Sequence, residues 1–590
     1  MKNQPRSTGK PARLFALATL AVCAAIHSSA QGPVKAIPVP TPPMGWSSWN
    51  SFSNTIDSGI VMAQAKAMVS TGMARAGYQY INIDEGWWLG DRDKNGNIVV
   101  PAKAWPAIAP GEQAGDMSNI VRFIHAQGLK AGIYTDAGLD GCSTVGPDLG
   151  PSYPHTGSEG HYEQDFLQFA RWGFDYVKVD WCGGDKEHLK AAVQYAQIAQ
   201  AIAHAESITG HHLYFSICNW GVQNPWTWAP NVGGVAADIW RTGGDIVAPI
   251  VANTKNADRK AAFKEVLREF DQAQHPEAQH SGFYNDPDMM VVGMPGLNEA
   301  ENRAHMSLWA ISGGPLLVGA DLTRLTPTDL NTLTNADVIR IDQDSLGLQS
   351  IKVAEPAPGL QVWSKPMSTT GERAVLLLNR TAAPAAIPVR WTDLGLTNDE
   401  ASVRDIWAQK DLGELPVSYS ATVPPNDIVL LTVVGSEAPA TAYFPDEPKP
   451  TPTTPAITSP SISASPSAGT TLPSSTSVPT SPAVAANSSP TKDKQVTFTH
   501  ISSRFPIARI RITYTNPDST PRFAELQINS GTASSSITKI SFPPTGTSTG
   551  ILSIQSHLDT QGPTNTLIFA RPAESTPTES MPAIQSISLQ

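Results

Sequence analysis

The chain contains little cysteine, no concentration of basic charge and, over its last third, no tryptophan. Only 4 of its 590 residues are cysteine, and no CxxC pair or Cys/His cluster marks a metal site. Its 41 basic residues, against 52 acidic ones, form no basic stripe, which argues against a nucleic-acid partner and favours a neutral or cationic substrate. No tryptophan follows Trp407, whereas prolines crowd between Pro439 and Pro490. The chain therefore divides into an aromatic-rich body, a linker and a chemically different tail.

The first 30 residues have the pattern of a secretory signal. Basic residues precede an apolar run, Leu14–Ile26, that is too short to span a bilayer, and Ser28–Ala30 offers a cleavage site. A lipoprotein anchored through Cys23 is the alternative, and Val22 directly before it makes that alternative the weaker one. We expect a secreted or periplasmic protein with no membrane segment after signal cleavage.

Cleavage of the signal would leave Cys142, Cys182 and Cys218. An oxidising compartment permits one disulfide among three thiols, and spacing alone does not choose the pair.

Short apolar strands alternate with helical stretches from residue 44 to residue 321. Eight candidate strands end in polar or aromatic residues, which fits a (β/α)8 TIM barrel. A doubly wound open sheet is the alternative, but no phosphate-binding glycine motif marks its usual nucleotide site.

The pattern changes to alternating strands after the barrel, which predicts an antiparallel β-sandwich. A Pro/Ser/Thr-rich stretch follows and is typical of an extended linker, and the tail is β-patterned again. The predicted division is a signal peptide over 1–30, a barrel over 31–345, a β-sandwich over 346–436, a linker over 437–493 and a β-rich, jelly-roll-like module over 494–590.

The carboxyl ends of the predicted barrel strands carry the candidate chemistry. In the strand that ends at Asp180, alternation places Lys178 and Asp180 on one face. Asp245 lies just past another strand end, and two carboxyl groups at one barrel mouth are what glycosidic cleavage requires. A single strand-end Asp is more often a cap or an ion-pair partner. The joint occurrence of several polar strand ends outweighs that alternative. Asp84 and Glu85 as a metal pair lack supporting histidines.

Aromatic residues near these strand ends are candidate surfaces for the apolar face of a sugar, although Trp in a barrel is more often part of the core. They are Trp46, Trp49, Trp87, Trp181, Trp220 and Tyr134.

Six long motifs make the chain resemble the α-galactosidases of glycoside hydrolase family 27, in clan D. They are PPMGWSSWNSF at 42–52, YINIDEGWW at 80–88, KAGIYTDAG at 130–138, DYVKVDWCGG at 175–184, WRTGGDI at 240–246 and NDPDMMVVG at 285–293. The resemblance implies a barrel followed by a β-domain and a retaining double displacement without metal or organic cofactor.

The same resemblance implies roles for individual residues. Asp180 matches the nucleophile and Asp245 the acid/base. Positions that line the galactose pocket match Trp49, Asp84, Tyr134, Lys178, Arg241 and Asp288. Asn219 falls where the family contacts the sugar 2-hydroxyl, and Cys142 and Cys182 match a disulfide beside the pocket. A non-catalytic sugar-binding barrel is a remote alternative, since it would require loss of the carboxylate pair.

The chain departs from the family at Glu85, where an Asp is usual. Glu is one methylene longer, and we expect its carboxyl group to extend toward the space of the galactose C6 hydroxymethyl group. β-L-Arabinopyranose lacks that group, so the hypothesis follows that the enzyme is a β-L-arabinopyranosidase or accepts both sugars. The expected partners are terminal galactosides or arabinopyranosides of oligo- or polysaccharides.

The tail resembles a carbohydrate-binding module of family 35 or 6. The resemblance depends on strand-and-turn segments, among them AELQINSG at 524–531 and GPTNTL at 562–567. Because the tail lacks tryptophan, a structural β-domain without a ligand is the alternative.

Overall fold

The computed structural model describes residues 41–88, 92–145, 154–231, 237–246, 262–446, 495–532, 535–572 and 580–590. The predicted signal peptide and most of the predicted linker lie outside these residues. None of the helices in this described part is both long enough and apolar enough to cross a bilayer.

Parallel strands form the first domain, as the sequence predicted. They are β1 (Met44–Ser47), β2 (Tyr80–Asn82), β3 (Lys130–Asp136), β4 (Tyr176–Asp180), β5 (Tyr214–Cys218), β6 (Ile239–Arg241), β7 (Tyr284–Asp286) and β8 (Leu316–Val318). Their order in the sheet is β7-β6-β5-β4-β3-β2-β1-β8. A parallel bridge between Met290, just after β7, and Val318 in β8 closes the ring. The described strands therefore form the predicted barrel and not a doubly wound open sheet.

Helices lie between and after the strands of this barrel. They are α1 (Trp49–Phe52), α2 (Ser58–Ser70), α3 (Met73–Ala76), α4 (Ser118–Ala126), α5 (Cys142–Val145), α6 (Tyr162–Trp172), α7 (Cys182–Lys186), α8 (Ala191–Thr209), α9 (Phe263–Gln272), α10 (Glu299–Ser312), α11 (Pro327–Leu333) and α12 (Ala336–Asp342). Short 3₁₀ turns lie at Pro225–Thr227, Ala229–Asn231, Leu322–Arg324 and Trp391–Leu394.

Alternation along β4 sets the layers of the barrel. Val177 and Val179 are fully buried in the main hydrophobic core, whereas Tyr176 belongs to a separate inner cluster with tyrosines of β2, β5 and β7. The Tyr176 and Tyr214 rings stack with their centroids 5.6 Å apart. Lys178 and Asp180 follow Tyr176 on the same face. The interior of the barrel along β4 therefore begins with a layer of tyrosines and ends with charged side chains at the carboxyl end of the strands.

The second domain is the predicted antiparallel β-sandwich. Its strands are β9 (Ile351–Ala357), β10 (Leu360–Pro366), β11 (Glu372–Asn379), β12 (Ala385–Arg390), β13 (Glu400–Asp405), β14 (Lys410–Pro416), β15 (Ser418–Val423) and β16 (Asp427–Val434). One sheet has the order β14-β13-β16-β11-β10-β9, and β12 pairs with β15. In β11, Leu376 and Leu378 join the barrel core, whereas Val375 and Leu377 join the core of the sandwich. Alternate side chains of β11 thus pack on opposite sides of the sheet, and one set joins this domain to the barrel.

The tail forms two further four-stranded sheets. The strands are β17 (Thr441–Tyr443), β18 (Val496–Ile501), β19 (Ile507–Thr515), β20 (Arg522–Ile528), β21 (Ser536–Phe542), β22 (Gly550–His557), β23 (Asn565–Ala570) and β24 (Ala583–Leu589). The sheet orders are β17-β24-β19-β22 and β18-β23-β20-β21, with antiparallel pairing throughout. Both sheets contribute to one core of buried aliphatic and aromatic side chains, as a jelly-roll-like module requires.

The structure differs from the predicted linker at its beginning. Within the predicted span 437–493, β17 is not a spacer, because it pairs with β24 of the tail. The backbone N–H of Asp446 also donates to the carbonyl of Thr497, at 2.8 Å. A strand of three residues leaves no clear alternation pattern in a proline-rich stretch. Its partner strand also lies more than 140 residues further along the chain, so no local signal marks the pairing.

Ion pairs connect the tail to the first two domains. Glu437 lies between Arg373 of the sandwich, at 3.3 Å, and Arg509 of the tail, at 3.8 Å. His557 at the end of β22 lies 3.6 Å from Glu277 of the barrel. The tail is therefore docked on both domains.

Candidate active site

The end of β4 places a carboxylate and an ammonium group at the centre of the barrel mouth. Lys178 Nζ lies 3.5 Å from Asp180 Oδ2 and donates to Asp84 Oδ2, at 3.0 Å. The Ser47 hydroxyl also donates to Asp84, at 3.3 Å. These side chains come from β1, from β4 and from the end of β2, so parallel strands bring together residues that are distant in sequence.

A second cluster forms around Arg241 at the end of β6. Its guanidinium group contacts Asp288 Oδ1 through Nη1, at 2.9 Å, and Asp245 Oδ1 through Nη2, at 3.0 Å. The other Asp288 oxygen accepts a hydrogen bond from the backbone N–H of Ile246, at 2.7 Å. Asp288 has a positive φ of 97°, which is strained for a residue with a side chain, and Trp309 donates to its carbonyl at 2.7 Å. The strained backbone directs Asp288 toward both Arg241 and the segment that bears Asp245.

The two candidate catalytic carboxyl groups have opposite environments. Asp180 is 5% exposed. Burial raises its pKa to about 6, with the charges of Asp245 and Asp84 adding to the rise and Lys178 opposing it. The Asp245 side chain, in contrast, is 56% exposed at the rim of the mouth. Two acids in such different surroundings suit different chemical tasks.

Asn219 and Cys218 form the wall next to Arg241. Asn219 is fully buried and donates from Nδ2 to the carbonyl of Val222, at 2.6 Å. Its Oδ1 accepts no hydrogen bond from the described residues. Cys218 is free and buried, and Arg241 Nη1 approaches its sulfur at 3.7 Å. The wall therefore offers one unpaired acceptor, the Asn219 carbonyl.

Glu85 follows Asp84 directly, but its carboxyl group bonds to a different loop. The Ser143 backbone N–H donates to Glu85 Oε2 at 2.9 Å, and the Ser143 hydroxyl donates to Oε1 at 2.7 Å. Glu85 is fully buried, and burial raises its pKa to about 8 although both Ser143 hydrogen bonds lower it. The extra methylene thus allows Glu85 to reach the loop at Ser143.

The disulfide that the resemblance implied is present. Cys142 and Cys182 are bonded, with their Cα atoms 5.0 Å apart. The bond joins α5, which follows β3, to α7, which follows β4, and it lies directly beside Asp180. An oxygen of Asp136 and one of Asp180 lie within 4.8 Å of each other and of both sulfurs. Because both sulfurs are bonded to one another, this group does not offer four ligands to a metal.

The aromatic residues divide differently from the expectation. Trp46, Trp87 and Trp181 are almost completely buried, so they are core residues and do not present a surface to a sugar. Trp46 Nε1 donates to the carbonyl of Ala320, and Trp87 Nε1 donates to the carbonyl of Tyr134. The sequence did not separate these tryptophans from those at the mouth, because a tryptophan packed beneath the helices and one at the mouth have the same hydrophobicity.

The remaining aromatic candidates lie nearer the mouth. Trp49 and Trp220 are half-buried. The Tyr134 ring lies 5.2 Å from Lys178 Nζ, and its hydroxyl contacts Cys142. The structure therefore gathers Tyr134 with Lys178 beside Asp180.

Some residues of the site were missed from the sequence. Ser143 and Ser47 are small polar residues whose partners lie in other strand ends, so no local pattern marks them. Asp136 had a usable signal, because it ends β3 as Asp180 ends β4.

A barrel whose mouth combines two contrasting carboxylates with Lys, Arg and further Asp side chains, followed by a β-sandwich, defines a glycoside hydrolase. Three family descriptions match this chain: "Alpha galactosidase A" over residues 41–344, "Alpha galactosidase C-terminal beta sandwich domain" over 357–433 and "Alpha-galactosidase, CBM13 domain" over 495–579. The chain belongs to the α-galactosidase family.

Relatives and solved structures agree with that assignment. The chain is 37% identical to a probable α-galactosidase of Dictyostelium discoideum, over 67% of this chain and 92% of the relative. It is 40% identical to α-galactosidase A of Cellvibrio japonicus, over 63% of this chain and 83% of the relative. The crystal structure of α-galactosidase I from Mortierella vinacea is similar with a TM-score of 0.58 and 28% identity, covering 68% of this chain and 98% of that one.

The third description refines the expectation for the tail. It names a CBM13 domain, where the sequence resembled families 35 or 6, and the class of carbohydrate-binding module is the same. The strand-and-turn signals that carried the resemblance are shared by many β-sheet modules, so they indicated the class and not the family.

Proposed function

We propose that the protein is a retaining exo-glycosidase that hydrolyses terminal α-D-galactosyl residues, with Asp180 as nucleophile and Asp245 as acid/base. The observation that supports this most strongly is the contrast between the two carboxyl groups. Asp180 is buried and 3.5 Å from Lys178, whereas Asp245 is exposed and contacts Arg241 at 3.0 Å. The lysine favours the ionised form of Asp180, and the rim position lets Asp245 exchange protons with water.

The proposed reaction has two steps. In the first, Asp180 attacks the anomeric carbon while Asp245 protonates the departing glycosidic oxygen, and a β-galactosyl ester of Asp180 forms. In the second, Asp245 removes a proton from water, which attacks the same carbon and releases Asp180. Each step inverts the configuration once, so α-galactose is the first product.

The polar side chains around Asp180 are proposed to hold the sugar hydroxyl groups. Asp84 and Lys178 form one side of the pocket, and Arg241 and Asp288 form the other. The half-buried Trp49 supplies apolar surface, and the buried Tyr134 ring packs against Lys178. Asn219 would accept a hydrogen bond from the 2-hydroxyl through its unpaired Oδ1.

The anomer of the released sugar tests this function. Hydrolysis of p-nitrophenyl α-D-galactoside, followed by proton NMR within the first minutes, should show α-galactose before the β-anomer accumulates through mutarotation. β-Galactose as the first product would refute the retaining mechanism, and absence of hydrolysis would refute the galactosidase assignment.

Glu85 supports a second candidate, a β-L-arabinopyranosidase or an enzyme with both activities. Its carboxyl group takes the hydrogen bonds of Ser143 and stays within electrostatic reach of Asp84 and Asp180. A shorter Asp would release Ser143 and free space beside Asp84. The second candidate thus depends on residue 85 changing the space beside Asp84 through its contact with Ser143, and not on direct contact between Glu85 and the sugar.

Comparison of two substrates, before and after Glu85→Asp, tests the second candidate. We expect the ratio of kcat/KM for p-nitrophenyl α-D-galactoside over p-nitrophenyl β-L-arabinopyranoside to rise about tenfold in the variant, the effect of a methylene-sized change in a pocket. Ser143→Ala is the matched control, because it removes the hydroxyl hydrogen bond to Glu85 but keeps the backbone N–H bond and the length of the Glu85 side chain. An unchanged ratio in Glu85→Asp would show that residue 85 does not select the sugar.

We further propose that the enzyme is exported and acts on terminal sugars of oligo- or polysaccharides. The signal-like pattern of residues 1–30 supports export, and the Cys142–Cys182 disulfide is of the kind that oxidising compartments permit.

A further inference from the structure

A second buried carboxyl group, that of Asp136, lies beside the proposed nucleophile and has no part in the two-step reaction. β3 and β4 are parallel, and their register pairs Asp136 with Asp180. The backbone N–H of Ala137 donates to the carbonyl of Asp180, at 2.9 Å. Asp136 itself is fully buried. A buried charged group lowers the stability of the folded protein unless it is paired, so the protonation state of Asp136 and its contacts matter.

One oxygen of Asp136 connects the loops that follow the two strands. Oδ1 accepts hydrogen bonds from the backbone N–H of Gly138, at 2.7 Å, and from that of Gly183, at 3.1 Å. Gly138 lies in the loop after β3, and Gly183 lies in the helix that begins directly after Trp181. Asp136 therefore fastens these two segments to each other, next to the disulfide.

The two glycines make this contact possible. A Cβ atom on Gly138 would lie 2.3 Å from the carbonyl carbon of Gly183, and one on Gly183 would lie 2.5 Å from the carbonyl oxygen of Asp140. No larger residue fits at either position without moving backbone. The two segments therefore pack backbone against backbone, with the Asp136 oxygen between their N–H groups.

The other oxygen of Asp136 is unpaired. Oδ2 is buried and has no hydrogen-bond partner among the described residues, and Asp136 forms no ion pair with any of them. The nearby cation, Lys178, is engaged by Asp84 and Asp180. An ionised carboxylate would leave a buried charge without a counter-charge, whereas a carboxylic acid would not.

The groups that face Asp136 carry acidic protons or negative charge. Asp180 faces Asp136 from β4, and Glu85 faces it from the end of β2. Tyr162 of α6 and Tyr195 of α8 also lie close enough for a charge on Asp136 to raise the pKa of their hydroxyl groups. Burial is the main cause that raises the pKa of Asp136 well above its ordinary value, and the charge of Asp180 is the next.

Together these contacts point to a role, and this inference rests on the proposed role of Asp180. We propose that Asp136 is a positioning residue that works as a neutral carboxylic acid, and that it holds the loop after β3 against the helix that follows Asp180 through the Gly138 and Gly183 amides. The neutral state lets a second carboxyl group lie next to the nucleophile without adding negative charge to it.

Two substitutions separate this role from an ordinary structural one. Asp136→Asn keeps a neutral acceptor for both glycine amides, and we expect its kcat to stay within about twofold of wild type. Asp136→Ala leaves those amides unpaired and loosens the segment that follows the nucleophile, although the disulfide still joins it to the neighbouring loop. We therefore expect kcat on p-nitrophenyl α-galactoside to fall about 10²-fold with a smaller change in KM. Lys186→Ala is the matched control, because the ion pair between Lys186 and Asp140 joins the same two segments. The Lys186 side chain is 54% exposed, so the loss of this pair should have little effect.

The acid limb of the kcat/KM profile is the second measurement. It should lie near the Asp180 pKa of about 6 in wild type and stay there in Asp136→Asn, because no charge is removed. A limb shifted to lower pH in Asp136→Asn would mean that Asp136 is charged, which overturns the inference. This profile decides the question even if Asp136→Ala does not fold.

The remaining outcomes are also decisive. A folded Asp136→Ala with wild-type kcat, or an Asp136→Asn as impaired as Asp136→Ala, overturns the proposed role of Asp136 alone. Absence of turnover in the wild type overturns the proposed function and this inference together.

Discussion

Replacing Asp180 with alanine is expected to lower kcat on p-nitrophenyl α-D-galactoside by on the order of 10⁴-fold or more, as loss of a covalent nucleophile does. Asp84 and Asp288, which lie beside Lys178 and Arg241, are held in ion pairs and are not placed to replace Asp180. Asp180→Asn should behave similarly in turnover and retain sugar binding, since it keeps the shape of the side chain.

Azide provides the positive test of the same prediction. Asp180→Ala leaves room for a small anion on the nucleophile side of the sugar, and azide attack from there forms a carbon–nitrogen bond as the leaving group departs. β-Galactosyl azide should therefore appear with activated substrates. Substantial hydrolysis by both Asp180 variants without azide would remove Asp180 from the role.

Replacing Asp245 with alanine is expected to produce a loss that depends on the leaving group. With a sugar as leaving group, kcat/KM should fall about 10²- to 10⁴-fold, the usual contribution of a general acid. With 2,4-dinitrophenolate, which needs no protonation, the loss in the first step should be far smaller. A plot of log kcat/KM against leaving-group pKa should be steeper for the variant than for wild type.

Asp271→Ala is the control for this measurement. Asp271 has nearly the same exposure, 51%, and pairs with Arg380 at 2.6 Å, as Asp245 pairs with Arg241. It lies in α9, where no step needs a proton, so its loss should leave all substrates within about twofold, in keeping with an exposed ion pair. Equal losses for every leaving group in Asp245→Ala would contradict the acid/base assignment.

The outline of the site could be predicted because β-strands place alternate side chains on one face. That rule put Lys178 and Asp180 together inside the barrel, and the parallel arrangement brought Asp84 and Arg241 to the same end. The barrel and the β-sandwich followed from the same periodicity.

The parts that sequence did not predict depend on contacts between distant segments. Glu85 was expected to extend toward the sugar, but its partner is Ser143, in a loop that only the fold brings near. Trp46 and Trp181 were candidate surfaces and are core residues, because the helices that cover them are set by tertiary packing. β17 escaped recognition for the same reason, since its partner is the last strand of the tail.

That pairing changes what the proline-rich segment can do. Asp446 and Thr497 are hydrogen-bonded, so the described residues on the two sides of the proline-rich segment meet at one place on the module. A spacer whose two ends meet does not set the distance between the module and the barrel, however long it is. The Glu437 contacts to Arg373 and Arg509 hold that distance instead. Shortening or lengthening the segment should therefore leave the distance between the module and the barrel unchanged. A module expressed without the residues before the segment would lack β17, a strand of its own sheet.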